Sequence, residues 1–276
     1  MPWHARLSLD YQKQGERTVL HHAHDGPLRI FKSLYPEGDA ICHNVIVHPP
    51  GGLVGGDVLD IDVQLGPGAH ALIGTPGATR FYASDESFAE QRVRLDLAPG
   101  ARLEWLPLEA IAYPGCRAAN RWTATLADGA ELMAWDVTAL GLPGAGQAFD
   151  RGEFRQCLEI PGLWLESARI AGDDHRLLDA PLGLAGRRCL GTLVLAVGGP
   201  MARARREALL EAARGALEAL PETVMAGATC PNDRMVVVRA LSPLVEPLMT
   251  SLQLVWAALR PAAWGLAPEP PRIWQV

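Results

Sequence analysis

Apolar and polar residues alternate through the first part of the chain, and the alternation breaks at regular intervals. Leu59, Ile61, Val63 and Leu65 are separated by Asp60, Asp62 and Gln64. Val93, Leu95 and Leu97 are separated by Arg94 and Asp96, and Ala101, Leu103 and Trp105 by Arg102 and Glu104. A third run, Trp122, Ala124 and Leu126, continues as Ala130, Leu132 and Ala134. A period of two predicts strands with one apolar face. The breaks are Leu65-Gly66-Pro67-Gly68-Ala69, Leu97-Ala98-Pro99-Gly100-Ala101 and Leu126-Ala127-Asp128-Gly129-Ala130, with a looser copy at Ile160-Pro161-Gly162-Leu163. Proline presets φ and glycine accepts positive φ, so each break reads as a hairpin turn. The turn glycines recur at 32, 29 and 33 residues. A unit of this size cannot bury its apolar face alone and predicts stacking on its neighbours. A β-sandwich with regular turns is the alternative; the constant frame of three copies favours a stacked, solenoid-like body.

Strands are also expected over residues 5–12, 16–24 and 28–35, and over Ile41 to His48, where Val45, Ile46 and Val47 are apolar. Helices are expected only late. Residues 203–220 place Leu209, Leu210, Ala213, Leu217 and Leu220 on one side, an amphipathic pattern, and Pro221 ends it. A hairpin follows over 223–229 and 234–240, turned at Pro231-Asn232-Asp233. Ser242-Pro243 resembles an N-cap and first-turn proline, opening a second helix that runs to about Leu259. Its stripe of Leu248, Leu252 and Val255 is widened by Trp256, so it is either buried on both sides or offered to a partner. The tail, residues 261–276, holds Trp264, Trp274 and four prolines. It is expected to be non-helical and to lie along the surface or on another chain. The expected fold class is mainly β: a stacked β-hairpin, β-helix-like body with a small C-terminal helical part of two helices. The sequence reads as one domain over 1–276, with the β body at 1–198 and the helical part and Pro/Trp tail packed on it at 199–276.

The 276 residues are 49% hydrophobic and 20% charged, enough to bury a sizeable core. A net charge of −6 and a pI near 5.8 argue against a large nucleic-acid footprint. Five scattered cysteines form no Cys-x-x-Cys, which suits reduced thiols in the cytoplasm and not a disulfide framework. The N-terminus shows no apolar signal-peptide core, and no stretch is long enough to span a membrane.

Candidate chemistry centres on His48-Pro49-Pro50-Gly51-Gly52-Leu53-Val54-Gly55-Gly56-Asp57. A glycine-rich loop suggests phosphate binding, but no lysine or helix start follows it, and Asp57 stands where lysine is wanted. The residues leave two readings: close packing at a strand crossover, or a loop presenting Asp57. His22 and His24 share a strand face and, with Asp25, are a weak candidate metal pair; His43 beside Cys42 is another. No third ligand has diagnostic spacing. Carboxylates are plentiful, but no spacing selects an acid–base pair, and nucleophile motifs are absent. From the residues alone, a binding scaffold is favoured over an enzyme. The competing class is a β-helix carbohydrate hydrolase using a carboxylate pair.

The glycine-rich stretch, Cys42-His43 before it and Thr75-Pro76-Gly77-Ala78-Thr79-Arg80-Phe81-Tyr82 after it resemble the urease accessory proteins UreD (UreH in some bacteria). Gly26-Pro27-Leu28, Leu34-Tyr35-Pro36-Glu37-Gly38 and Glu104-Trp105-Leu106-Pro107 with Glu109 extend the resemblance. Leu108 and Ala110 depart from the family's usual Gln and Thr, and Leu142 and Gln147 from its Arg and Glu. The resemblance implies a scaffold without enzymatic activity that binds apo-urease, UreF and, through UreF, the GTPase UreG, and that assists nickel incorporation. It implies no tightly bound cofactor, only transient Ni2+, and neither nucleic acid nor membrane as partner. On this basis Asp57, Thr75, Glu109, Asp136 and Glu166 are the expected oxygen ligands or polar lining of an internal nickel route. Leu248, Leu252, Val255, Trp256, Trp264 and Trp274 are the expected contacts with UreF.

Overall fold

The computed structural model describes residues 2–85 and 87–275. The chain opens with β1 (His4–Gln14), β2 (Arg17–Asp25), β3 (Arg29–Ile30) and β4 (Ile41–Val47). The glycine-rich stretch holds only β5 (Gly52–Leu53). Then come β6 (Val58–Leu65), β7 (His70–Gly74), β8 (Thr79–Phe81), β9 (Ala89–Leu97), β10 (Arg102–Leu106), β11 (Ala110–Ala112), β12 (Arg117–Leu126) and β13 (Glu131–Leu140). The last third holds β14 (Glu153–Ile160), β15 (Trp164–Ala171), α1 (His175–Asp179), β16 (Cys189–Val197), α2 (Arg203–Leu217), β17 (Met225–Asn232), β18 (Met235–Ser242) and α3 (Val245–Trp264).

Two sheets face each other. The first runs β15-β14-β12-β9-β6-β1-β2, and the second β17-β18-β16-β13-β10-β7-β4-β3. The repeat sends one strand to each sheet: β6, β9 and β12 pair in parallel in the first, and β7, β10 and β13 in parallel in the second. The turns at Gly68, Gly100 and Gly129 therefore arch between sheets and do not close hairpins, which corrects that part of the expectation. The looser copy at Pro161-Gly162, in contrast, joins the antiparallel β14 and β15 as the expected hairpin. The body is solenoid-like, and its turns stack: Gly68 N donates to Pro99 O at 3.1 Å. Gly68, Gly100 and Gly129 all adopt φ near +70° (67°, 69° and 72°), where a side chain is strained.

Parallel in-register stacking explains the alternation on the first sheet. Leu59, Ile61, Val63 and Leu65 are buried between the sheets. Outside, Asp60 lies beside Arg92 and Asp62 beside Arg94 on the next strand, with Arg94 Nε to Asp62 Oδ1 at 2.5 Å. The second sheet differs because α2 and α3 cover its outer face. Residues 132–140 of β13 are buried on both sides, as is usual for a covered parallel sheet. Glu104, outward in the alternation, is thereby buried completely.

The helical part departs from expectation in four ways. The short α1 has no counterpart in the sequence reading. Ser242 ends β18 and does not cap a helix; α3 begins at Val245 with Leu244 as its N-cap. Pro261 sits inside α3, which closes at Gly265 (φ 66°), whose N–H bonds Pro261 O at 2.8 Å. Finally, the hairpin β17–β18, placed with the helical part, extends the second sheet, so residue 198 is no layer boundary. The α3 stripe is directed inward: Leu248, Leu252, Val255 and Trp256 are all buried against the second sheet, each burial contributing roughly 1.5–3 kcal/mol. Those four are core, and the expectation that they meet a partner is corrected. Trp264 is half-buried and donates to Glu131 Oε2 at 2.5 Å. Trp274 lies on the chain's own surface, its ring 5.2 Å from Trp135 and 5.1 Å from Trp256. Val276, the last residue of the expected tail, lies outside the described residues.

A buried ion network anchors α3. Arg260 donates to Glu104 (Nε to Oε2, 3.1 Å) and to Glu37 (Nη1 to Oε2, 2.6 Å), and it also bonds Ala267 O. His43 contacts Glu37 at 2.7 Å, His70 contacts Glu104 at 3.2 Å, and Trp256 donates to Glu104 at 2.7 Å. Burial would raise the Glu37 carboxyl, but the hydrogen bonds and charge of His43 and Arg260 hold it down to about 2.

Candidate functional site

Between the sheets lies a cavity of about 170 Å³. Its mouth is framed by the two glycine-bearing segments, with His48 and Gly51 on one and Thr75, Gly77 and Arg80 on the other. Close packing sets the path of the first segment. A Cβ on Gly52 meets the Tyr82 ring at 2.2 Å, and one on Gly55 meets Ser84 Oγ at 2.0 Å and Ser87 O at 2.7 Å. Gly52 and Gly55 are there because the chain passes tightly over Tyr82, Ser84 and Ser87, the close-packing reading.

Inside, polar side chains form a connected line. Thr79 Oγ1 donates to Gln91 Oε1 at 3.3 Å, and Gln91 Nε2 to Asn120 Oδ1 at 3.1 Å. Asn120 Nδ2 donates to Asp136 Oδ2 at 2.8 Å, and Gln156 Nε2 to Asp136 Oδ1 at 2.5 Å. The register produces this, because Gln91, Asn120 and Gln156 are direct neighbours on β9, β12 and β14. Asp136 faces them from β13, beside Thr192 on β16. Thr192 Oγ1 donates to Glu166 Oε1 at 2.7 Å, and Glu166 pairs with the exposed Arg239 at 2.5 Å. The hydrogen-bonded line thus runs from the glycine-framed mouth to Asp136 and Gln156. A second group, Thr192, Glu166 and Arg239, neighbours it through the Asp136/Thr192 pairing and reaches solvent at the β15/β18 edge.

The electrostatics follow from burial. Asp136 is pushed up to about 6, first by desolvation and further by the nearby Glu166 charge, against the hydrogen bonds from Gln156, Thr138 and Asn120. Two buried ring nitrogens of cavity-lining residues, His48 Nε2 and Trp122 Nε1, have no partner among the described residues. Such groups call for a polar occupant, water included. The His48 imidazole is pushed down by its burial.

Of the five expected route residues, Thr75 and Asp136 line the cavity and Glu166 continues the line. Asp57 does not join it. Its carboxylate is buried and accepts from Trp3 N (3.2 Å) and Val54 N (3.0 Å), tying the N-terminus to the glycine-rich turn. Glu109 lies beside Cys189, whose side chain belongs to the core on the helical side of the second sheet. Among the weak candidates, Cys42 and His43 point to opposite faces of β4, and His43 is bound to Glu37. The Cys42 thiol is pushed up by burial. His22 and His24 are exposed with stacked rings 6.4 Å apart, and Arg29 Nη1 lies 3.2 Å from His24 Nδ1. Among the described residues, no cluster of three or more His, Cys, Asp or Glu is arranged to hold a metal. Thr79, Gln91, Asn120, Gln156 and Thr192 are not among the site residues that the sequence points to. A signal was present: Asn120 and Gln156 are polar where the strand phase expects apolar residues, between Ala118 and Trp122 and between Phe154 and Leu158. The departures are local. Leu108 and Ala110 line the cavity, and Leu142 and Gln147 bridge each other through their backbones.

The chain is thus a solenoid-like double sheet with helices on one outer face, a glycine-framed mouth and a polar interior. The chain matches the family described as UreD urease accessory protein over residues 4–275 and belongs to it. Its relatives named "Urease accessory protein UreD" include those of Variovorax paradoxus (strain S110), 58% identical over 99% of both chains, and Polaromonas naphthalenivorans (strain CJ2), 57% identical over the whole of both. That of Methylibium petroleiphilum (strain ATCC BAA-1232 / LMG 22953 / PM1) is 46% identical, again over the whole of both. No helix among the described residues is long and apolar enough to cross a membrane.

Proposed function

We propose that the chain is a non-enzymatic cytoplasmic scaffold that binds UreF, through it UreG, and apo-urease, and that Ni2+ passes along the polar line between its sheets toward the urease metallocentre. The observation that carries this reading is the unbroken series Thr79, Gln91, Asn120, Asp136 and Gln156, with Thr192 and Glu166 beside its inner end, across the largely apolar core between the sheets. Buried polar groups cost free energy unless every one is satisfied, and a core that served only stability would fill these positions with aliphatic side chains. Oxygen and amide donors with water hold Ni2+ loosely; thiolates and clustered imidazoles hold it tightly. Asp136, half-titrated near 6, is mostly ionised at neutral pH, and it is the buried charge a passing cation would neutralise. The carbohydrate-hydrolase reading lacks a site. Asp136 is bound by three side chains, and Glu166 is held by Thr192 and Arg239.

The test uses purified apo-urease with UreF, UreG and this chain, wild type or Asp136→Ala, and measures nickel per urease and complex formation by size exclusion. The expected result is an intact complex with nickel loading reduced at least tenfold. Unchanged loading overturns the passage, and a wild-type chain that joins no complex overturns the scaffold.

A further inference from the structure

The helical layer on the second sheet stops short of its β3/β4 end. There the turn at residues 272–275 forms one wall of a groove of about 390 Å³, with Val45, Leu72 and Gly74 as its floor. The other wall is the segment after β3, hydrogen-bonded to β4 through Phe31 N to Val45 O (2.9 Å) and Leu34 N to His43 O (2.9 Å). Phe31 and Leu34 are 53% and 51% exposed, among the largest apolar exposures in the chain. Large apolar side chains left in water beside a formed groove mark an interaction site.

Charge narrows the occupant. The chain carries a net −6, yet among the described residues no carboxylate lines this groove, and Lys32 and Arg272 stand at it. Neither is ion-paired among the described residues; the nearby Glu37 is held by Arg260 and His43. A cationic rim on an acidic protein selects a partner segment with carboxylates beside its apolar residues, and repels a second copy of this acidic chain. The floor is the outer face of the same sheet that α3 covers, at the same layer height. The shape that continues this layer is a helix, with apolar residues one turn apart reaching the floor.

We propose that this groove docks an amphipathic, acid-flanked helix of a partner protein, seated between Phe31/Leu34 and Ile273 with its carboxylates on Lys32 and Arg272. The proposal rests on the reading of the chain as a component of an assembly, and not on the nickel passage.

The test measures binding of the purified full chain to purified UreF and, separately, to purified apo-urease by calorimetry, with circular dichroism confirming the fold of each variant. Two double variants are used, Phe31→Ser/Leu34→Ser and Lys32→Glu/Arg272→Glu, all at exposed positions outside the polar line. Each is expected to weaken binding to one of the two partners by about tenfold or more, and the charge reversal is expected to flatten the salt dependence of that binding. Leu34→Cys alkylated with a benzophenone maleimide is expected, on illumination, to cross-link by C–H insertion to a helical, acid-flanked segment of that partner. If wild type binds and both variants bind equally well, the groove proposal falls and the scaffold reading stands. If wild type binds neither protein, both fall. If wild type self-associates in sedimentation and the Phe31→Ser/Leu34→Ser variant does not, the groove joins two copies of this chain and the heterologous helix is overturned.

Discussion

Asp136 offers a test of the buried line that needs no partner protein. In the native state its carboxyl keeps a proton up to about 6; in the unfolded chain it releases it near the ordinary 3.8. Between these values the native state binds more protons than the unfolded state, so this group makes stability fall as pH rises. At about 1.4 kcal/mol per pH unit, the full loss is roughly 3 kcal/mol, in place above about pH 6 and absent below about pH 4. Asp136→Asn removes the titration while keeping the shape. Glu37 and Glu104 have depressed values and act with the opposite sign, but they are present in both proteins and cancel in the comparison. Urea unfolding of wild type and Asp136→Asn across that range should show the stability difference moving by roughly 3 kcal/mol in favour of the variant as pH rises. A difference that stays constant, or moves the other way, refutes the burial of an ionisable Asp136 at the centre of the line.

Glu104→Gln leaves the buried Arg260 without its inner carboxylate and is expected to cost about 3–5 kcal/mol; an unchanged melting temperature would show the network to be dispensable. Because the Glu37 carboxyl is held down to about 2 and that of Glu104 is also lowered, their stabilisation is full above the ordinary carboxylate range. It should disappear on acidification through the depressed values, seen as acid-induced loss of near-ultraviolet dichroism. Trp274→Ala removes the contacts with Trp135 and Trp256 and should lower stability by about 2 kcal/mol in the isolated chain; an effect seen only with a partner present would restore Trp274 as an interface residue. Asp57→Ala breaks two bonds to backbone N–H groups and should cost about 2 kcal/mol while leaving nickel loading intact at a temperature where the variant is folded. Lost loading in a fully folded variant would return Asp57 to the route.

The sequence by itself determined the strands of the repeat, the roughly 30-residue unit, the turns that divide it and the family, but not β16. All of these are local: period two is read within one strand, a Pro-Gly or Asp-Gly turn within five residues, and the glycine-rich motif within ten. Only the tertiary structure decided which strands pair. The segments flanking Gly68 have the pattern of a hairpin, but each pairs in parallel with the next repeat, in a different sheet. Alternation shows that two faces differ, not what covers them. On the first sheet Asp60 and Asp62 face outward beside arginines, whereas on the second the same phase drives Glu104 under α3, where Arg260, 156 residues away, supplies its charge partner. The polar line arose in the same way. Gln91, Asn120, Gln156 and Asp136 lie on four strands, and nothing within one strand says that their side chains meet. Register and sheet facing bring them together, and both depend on contacts far apart in the chain.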